Sequence, residues 1–198
     1  MAKYSDKPDS YTDPRTGVLR NKLNHTNDSK LEEDEKFFFL VRSYELDINP
    51  INGNFDLSHL QRIHEKLFSD VYDWAGQIRK VDISKGNTRF AHYNFIEKET
   101  NTLLSLLKKE NHLKKLPLDK FCNRVAFYIG ELNVLHPFRD GNGRALRRFF
   151  TQLANEVGYR ISWDNITSEQ MIYASIAAYN GSTEPLERLI YQNIKVKD

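Results

Sequence analysis

The sequence predicts a mainly α protein, a helical bundle carrying one small β-hairpin. Three observations lead there. From Leu31 onward, apolar residues recur three and four positions apart in successive blocks, the pattern of helices packed on one face. Only Gln77–His92 reads as strand, with Val81, Ile83 and Phe90 flanking the turn-forming Lys85-Gly86-Asn87-Thr88. No repeat at a solenoid period and no low-complexity tract breaks the pattern.

Residues 1–30 are rich in Asp, Asn, Ser, Thr and Lys and punctuated by Pro14 and Gly17. They read as an irregular N-terminal arm before one folded domain, 31–198. A first helix, with Phe37, Phe38, Leu40, Val41 and Tyr44, stops at Asn49-Pro50 and Asn52-Gly53. A second carries Leu57, Leu60, Ile63, Leu67 and Val71 and ends near Tyr72–Gly76. After the hairpin, Asn94 with Glu97 is expected to cap a third helix through Leu103, Leu104 and Leu107, up to a Lys-rich break at 108–117. The fourth aligns Leu118, Phe121, Cys122, Val125, Ile129 and Leu132 and runs toward Leu135. Pro137 and Gly141-Asn142-Gly143 interrupt it, and a fifth, with Leu146, Phe149, Phe150, Leu153 and Val157, closes at Gly158. Thr167 and Gln170 make a capping box for a helix through Tyr179, and Pro185 opens a last one, Leu186–Ile194.

With 198 residues, 39% hydrophobic and 28% charged, the chain can bury one core. A net charge of +2, with both signs interspersed, provides no basic face for direct nucleic-acid binding. A single cysteine, Cys122, excludes an internal disulfide framework and suits a reducing, cytoplasmic setting. Met1–Asp13 holds no apolar signal segment, and no run of apolar residues is long enough to span a membrane. His59 and His64 lie five apart on one helix without an H-E-x-x-H pattern, so they read as helix residues rather than a metal pair. Trp74, Trp163 and the Phe37-Phe38-Phe39 run read as core, and Arg148 as a solvated helix face.

The chemistry concentrates between the fourth and fifth helices, in His136-Pro137-Phe138-Arg139-Asp140-Gly141-Asn142-Gly143-Arg144-Ala145-Leu146-Arg147. Amides of Gly141, Asn142 and Gly143, at the positive end of the following helix, can wrap an anion, and glycine lets it approach closely. Arg144 and Arg147, three apart on one face, suit bidentate binding of more than one phosphate. Asp140 supplies a carboxylate beside those phosphates, as Mg²⁺ requires. The expected ligand is a Mg²⁺-nucleotide. His136 is the loop's one group with an unperturbed pKa near neutrality, and so the natural general base. Phe138 is expected to insert into the core and hold the loop's shape.

These residues match H-x-F-x-[D/E]-G-N-G-R-x-x-R at every fixed position, and the chain resembles the Fic family over roughly residues 35 to 195. At ~5% usage per residue type, eight matched positions arise by chance on the order of 10⁻¹⁰ per start site. The helices around the motif and the run Tyr72–Arg79 before the hairpin are also similar to Fic domains. The resemblance implies a Fic fold and transfer of AMP from ATP to a Tyr, Ser or Thr hydroxyl. It implies His136 as base, Asp140 as Mg²⁺ ligand, Gly141, Asn142 and Gly143 as phosphate cradle, and Arg144 with Arg147 on the β- and γ-phosphates. It makes Ser84, Lys85, Gly86, Asn87 and Thr88 a flap that docks the target by strand pairing. Gly143 and the second arginine favour AMP transfer over phosphorylation, because phosphorylating relatives tend to carry Lys there and lack that arginine.

Many family members restrain themselves with a [S/T]-x-x-x-E-[G/N] helix. Here Ser29–Glu33 and Thr183–Glu187 come nearest, and neither has the final Gly or Asn. The resemblance therefore points to a toxin-type member whose inhibitory glutamate comes in trans from a small antitoxin, with a bacterial type II topoisomerase as implied target. A secreted effector acting on a host protein, as a piece of a longer chain translocated into a recipient cell, is an alternative. A nucleotide-dependent binding module is another, which the intact His136 and arginine pair disfavour.

Overall fold

The computed structural model describes residues 9–197; the first eight residues of the arm and Asp198 lie outside them. Helix α1 (Asp28–Ile48) starts three residues before the apolar pattern, because the Asn27 side chain accepts the Lys30 N–H and caps it there. Helix α2 (Leu57–Phe68) is capped in the same way by Asp56. It stops at Phe68, so Val71 is buried from a turn and not from the helix. Strands β1 (Ser84–Lys85) and β2 (Thr88–Arg89) form the expected hairpin, pairing Ser84 with Arg89 and Lys85 with Thr88.

Helix α3 (Tyr93–Lys109) begins before the expected Asn94 cap. The Tyr93 N–H is taken by Asp82 Oδ1 at 3.0 Å and the Asn94 N–H by His92 Nδ1 at 3.3 Å, so capping groups from the preceding segment decide its start. A 3₁₀ turn (Asn111–Leu113) follows, then α4 (Leu118–Leu135) and α5 (Asn142–Glu156). The Thr167–Gln170 capping box opens α6 (Ser168–Tyr179), and Pro185 sits in the first turn of α7 (Glu184–Gln192).

The hairpin is not the sole β structure. Strand β3 (Tyr159–Ile161) pairs antiparallel with β4 (Ile194–Val196), so the last helix ends two residues short of the expected Ile194. Three-residue strands lie below the length at which alternation is readable, and Ile194 pairs with Ile161 rather than extending the helix.

Helix α4 is the centre, packed by α3, α5, α6 and α7, while α2 lies across α5 and α1 across α2. Leu60, Ile63 and Leu67 of α2, Phe121, Val125 and Leu132 of α4, and Phe149, Phe150 and Leu153 of α5 are fully buried against one another. Trp74 is buried and Trp163 half-buried, as expected of core residues. Phe37 is not core: it is 61% exposed, on a face of α1 that also presents Leu40, Val41, Tyr44 and Ile48. Arg148 is not merely solvated, because it makes a bidentate pair with Asp47 at 2.6 and 3.1 Å. The arm is anchored: Val18 is buried, Tyr11 meets Trp74 edge-on at 5.7 Å, and the Lys22 N–H donates to Val71 O at 2.8 Å. Among the described residues, no helix is long and apolar enough to cross a membrane.

Phe149 joins three parts of this core, meeting Phe55 edge-on at 5.5 Å and Phe150 at 5.2 Å while facing α2. Phe149→Ala should therefore lower unfolding free energy by about 3–5 kcal/mol in urea titration; a change under about 1 kcal/mol would mean the site collapses without a cavity.

Candidate active site

The loop between α4 and α5 is shaped by two left-handed residues. His136 (φ 50°, ψ 63°) ends α4, its N–H donating to Leu132 O at 2.9 Å, and Pro137 cannot continue the helix. Gly141 (φ 79°) opens α5. A Cβ there would stand 2.5 Å from Phe68 Cε2 and 3.1 Å from His64 Nε2, so conformation and space both demand glycine. Between them, the Asn142 side chain accepts the Phe138 N–H and donates to the Phe138 carbonyl, each at 2.8 Å. The Phe138 ring is fully buried, as expected, and stacks on His64 at 3.8 Å.

His64 is a linchpin that the sequence pattern concealed. Its Nε2–H donates to Asp140 O and its Nδ1 accepts the Gly76 N–H, both at 2.9 Å. One donor and one acceptor define a neutral imidazole, and burial pushes its pKa down to about 4. The available signal was its position four residues from both Leu60 and Phe68, on the buried face of α2.

His136 is buried and its ring stacks on Phe90 at 3.8 Å. Nδ1 lies 3.0 Å from Asn133 O, and since a carbonyl only accepts, Nδ1 carries the proton and Nε2 the basic lone pair. Burial, more than any neighbour, drives its pKa down to about 3, with the Arg79 cation contributing.

At the start of α5, the amides of Asn142, Gly143 and Arg144 precede the first intrahelical bond, from Ala145 N–H to Gly141 O at 3.0 Å. Asn142 thus offers a cradle its backbone alone, since its side chain is committed to Phe138. Asp140 is buried beside them, one carboxylate oxygen accepting the Gly141 N–H at 2.5 Å and standing 3.8 Å from Arg144 Nη2.

The two arginines differ. Arg144 is held by Glu35 of α1 at 2.7 Å and lies over the Phe68 ring at 4.6 Å. Glu35 also accepts the Tyr72 hydroxyl, whose pKa burial and then this carboxylate push up. Among the described residues, no carboxylate lies within ion-pair distance of Arg147. Burial, then Arg144 and Arg148 beside it, lowers the Arg147 pKa to about 10. Glu35 was legible only as an acidic residue four after Leu31, in phase with the buried face.

Arg79, the last residue of the run Tyr72–Arg79, is fully buried against this loop and donates to His136 O at 2.8 Å. The hairpin residues Ser84–Thr88 hang beside it, joined to the loop through Phe90. The arm reaches the loop as well, with Asp9 accepting from Arg139 Nε at 2.9 Å. Cys122 is buried, which raises its thiol pKa to about 11 and keeps it unreactive. No set of three or more His, Cys, Asp or Glu gathers to hold a metal among the described residues.

The loop lies within the stretch that resembles known proteins. Residues 54–154 match the model of the Fic/DOC family. The chain is 47% identical to the protein adenylyltransferase VbhT of Bartonella schoenbuchensis over 98% of its own length, while spanning 41% of that protein. It is 39% identical to the probable protein adenylyltransferase Fic of Escherichia coli, covering 94% of this chain and 92% of that one. The crystal structure of the Bartonella tribocorum effector BepC with bound AMPPNP superposes with a TM-score of 0.88 at 28% identity, over 95% and 97% of the two chains. The Fic domain of a Bartonella quintana effector with bound ADP also gives 0.88, at 29% identity over 95% of each chain.

Two buried neutral imidazoles link stability to acidity. Folded pKa values of about 4 and 3 lie below the usual 6.5, so between those values the unfolded chain binds more protons. Stability is then greatest above pH ~6.5 and falls as pH drops toward 4. Thermal melts should show Tm decreasing between pH 7 and 5, with a shallower slope for His64→Asn; equal slopes would remove His64 from this linkage.

Proposed function

The chain belongs to the Fic/DOC family, and on that premise we propose that it transfers AMP from Mg²⁺-ATP to a Tyr, Ser or Thr hydroxyl of a target protein, releasing pyrophosphate. One observation carries the reading: the loop runs from a neutral imidazole at the end of α4 to an α5 start that joins orphan amides to a guanidinium with no carboxylate counter-ion among the described residues. Such a site lacks an anion of several charges, which a triphosphate supplies.

In this mechanism the target hydroxyl gives its proton to His136 Nε2 as its oxygen bonds to the α-phosphorus. The bond from that phosphorus to the α,β-bridging oxygen breaks, and its electron pair leaves with pyrophosphate. Backbone amides of Asn142 and Gly143 and the Arg147 fork hold the phosphates. Arg144 gives part of its fork to Glu35, so its share of the grip is smaller, and it serves also to place Asp140. Asp140 fits a Mg²⁺ site of the kind completed by phosphate oxygens, since one buried carboxylate stands at the cradle without a cage of other acids. When bound, the ion would neutralise charge on the phosphates and the leaving pyrophosphate.

The target segment would add to the β1 edge. The outward carbonyl of β2, Arg89 O, already accepts from the Tyr179 hydroxyl at 3.0 Å, which ties that edge to α6. The exposed aromatic and apolar face of α6, with Tyr173, Ile176 and Tyr179, is our assignment for the adenine.

For regulation we keep the small antitoxin with a glutamate directed at Arg147. Among the described residues neither Glu33 nor Glu187 pairs with Arg147, Glu187 accepting from Asn123 at 2.7 Å, which supports a glutamate supplied in trans. The exposed stripe Phe37, Leu40, Val41, Tyr44 and Ile48 runs along the helix whose Glu35 enters the site, and could seat a helical partner. A type II topoisomerase is the target class we propose from the toxin-type likeness. The structural likeness to Bartonella effectors supports the second reading, an effector domain acting in a host cell.

Bacterial lysate incubated with the protein and α-³²P-ATP should show labelled bands that γ-³²P-ATP does not give, and His136→Ala should reduce them by about 10²-fold or more. Label from the γ-phosphate would mean phosphorylation, and no label from either would favour the binding module. Arg147→Ala should raise the ATP concentration for half-maximal labelling; an unchanged dependence would remove Arg147 from the triphosphate grip.

A further inference from the structure

Arg79 is a charged side chain with no exposure, and its guanidinium is spent on main-chain carbonyls. Nη1 donates to Val81 O at 2.6 Å and Nη2 to Ala91 O at 2.5 Å, one on each root of the β1–β2 hairpin. Nε donates to His136 O at 2.8 Å and Nη2 also to Leu135 O at 3.2 Å, the closing carbonyls of α4. The main chain repeats the link, with Arg79 N–H to Pro137 O at 2.9 Å and Ala91 N–H to Val134 O at 3.1 Å. The Asp82 carboxylate stands 4.0 Å from Nη1.

Burying a guanidinium is costly, and a helix C-terminus can be closed without one, as the left-handed His136 already does. What a planar fork does, and a point charge cannot, is reach carbonyls of separate segments in fixed directions at once. It lies at the negative end of α4, which favours a cation there. Phe90, next to the hairpin root Ala91, stacks on the His136 ring at 3.8 Å. Hairpin and imidazole are therefore fastened at two levels, ring on ring and fork on backbone.

We infer that Arg79 is a positioning residue that sets the hairpin in register with His136, so that a hydroxyl on a target strand laid along β1 arrives at Nε2. The inference rests on the transferase reading for its functional part. It separates two demands on the site: nucleotide binding depends on α5, while acceptor alignment depends on Arg79. Displacements of about 1 Å at a reacting pair cost on the order of 10²-fold in rate.

Arg79→Lys keeps the charge and loses the fork. Its labelling of lysate proteins from α-³²P-ATP should fall by about 10²-fold, while its calorimetric affinity for Mg-AMPPNP stays that of the wild type. Labelling that is unchanged, or that falls only in proportion to AMPPNP affinity, overturns the inference. Wild-type protein that labels nothing would count against the transferase reading instead, and the positioning is then read by amide exchange. Faster exchange at Ser84–Arg89 in the variant, with α5 amides unchanged, supports it; equal exchange overturns it. Should the variant not fold, the wild type alone decides: the Ala91 amide must be protected like the end of α4 while Gly86 and Asn87 exchange freely, and Ala91 exchanging with the tip overturns the inference.

Discussion

The amide of Asn142 closes on both main-chain groups of Phe138, and the geometry of the site depends on that reciprocal pair. A short loop must reverse the chain from the negative end of α4 to the positive end of α5 while burying its own polar backbone. The Asn142 side chain satisfies two of those groups from within the loop, and the Phe138 ring pins it to the core through His64. With its middle fixed, the loop holds the imidazole on one side and the amides of α5 on the other. A change at Asn142 would therefore disturb imidazole and amides together, although its side chain contacts neither.

Around this loop the protein spends buried polarity freely. Glu35, His64, Arg79, Arg139 and Asp140 are all withdrawn from solvent within one region. Unpaired, such groups would be among the costliest features of a small domain; here Glu35, His64, Arg79 and Arg139 each have a specific partner from another segment, and the Asp140 carboxylate is met by the Gly141 N–H and Arg144 of its own loop and helix. Neutral His64 and carbonyl-bound Arg79 avoid much of the expense of buried ion pairs. Arg147 departs from the scheme: its depressed pKa reflects burial and like-charged neighbours, with no compensating carboxylate among the described residues. That departure is what the proposed triphosphate grip rests on.

The helices were legible because their apolar spacing is regular: α2, α4 and α5 fall where the stripes of Leu60, Val125 and Phe149 place them. The loop was legible because its glycines, arginines and histidine are contiguous. What escaped was set by tertiary contact. The start of α3 is decided by Asp82, and the pairing of β3 with β4 joins segments too short to carry a period. His64, Glu35 and Arg79 escaped for a related reason: each is an isolated polar residue whose meaning comes from a partner far along the chain. Phe37 shows the converse error, an aromatic in a helical pattern that faces solvent.

The distance along the chain between those partners has a consequence for synthesis. Asp9 meets Arg139 across 130 positions, His64 meets Asp140 across 76, and Arg79 meets His136 across 57. None of these links can form until residues 136–140 have left the ribosome, since each joins that loop to a segment made earlier. Early helices can form while translation proceeds, yet the His136 imidazole and the Arg79 fork cannot be aligned until that loop has emerged. The geometry of the loop is thus absent while the segments that brace it are being made. It would appear late and abruptly, when one short stretch emerges to meet three segments already waiting for it.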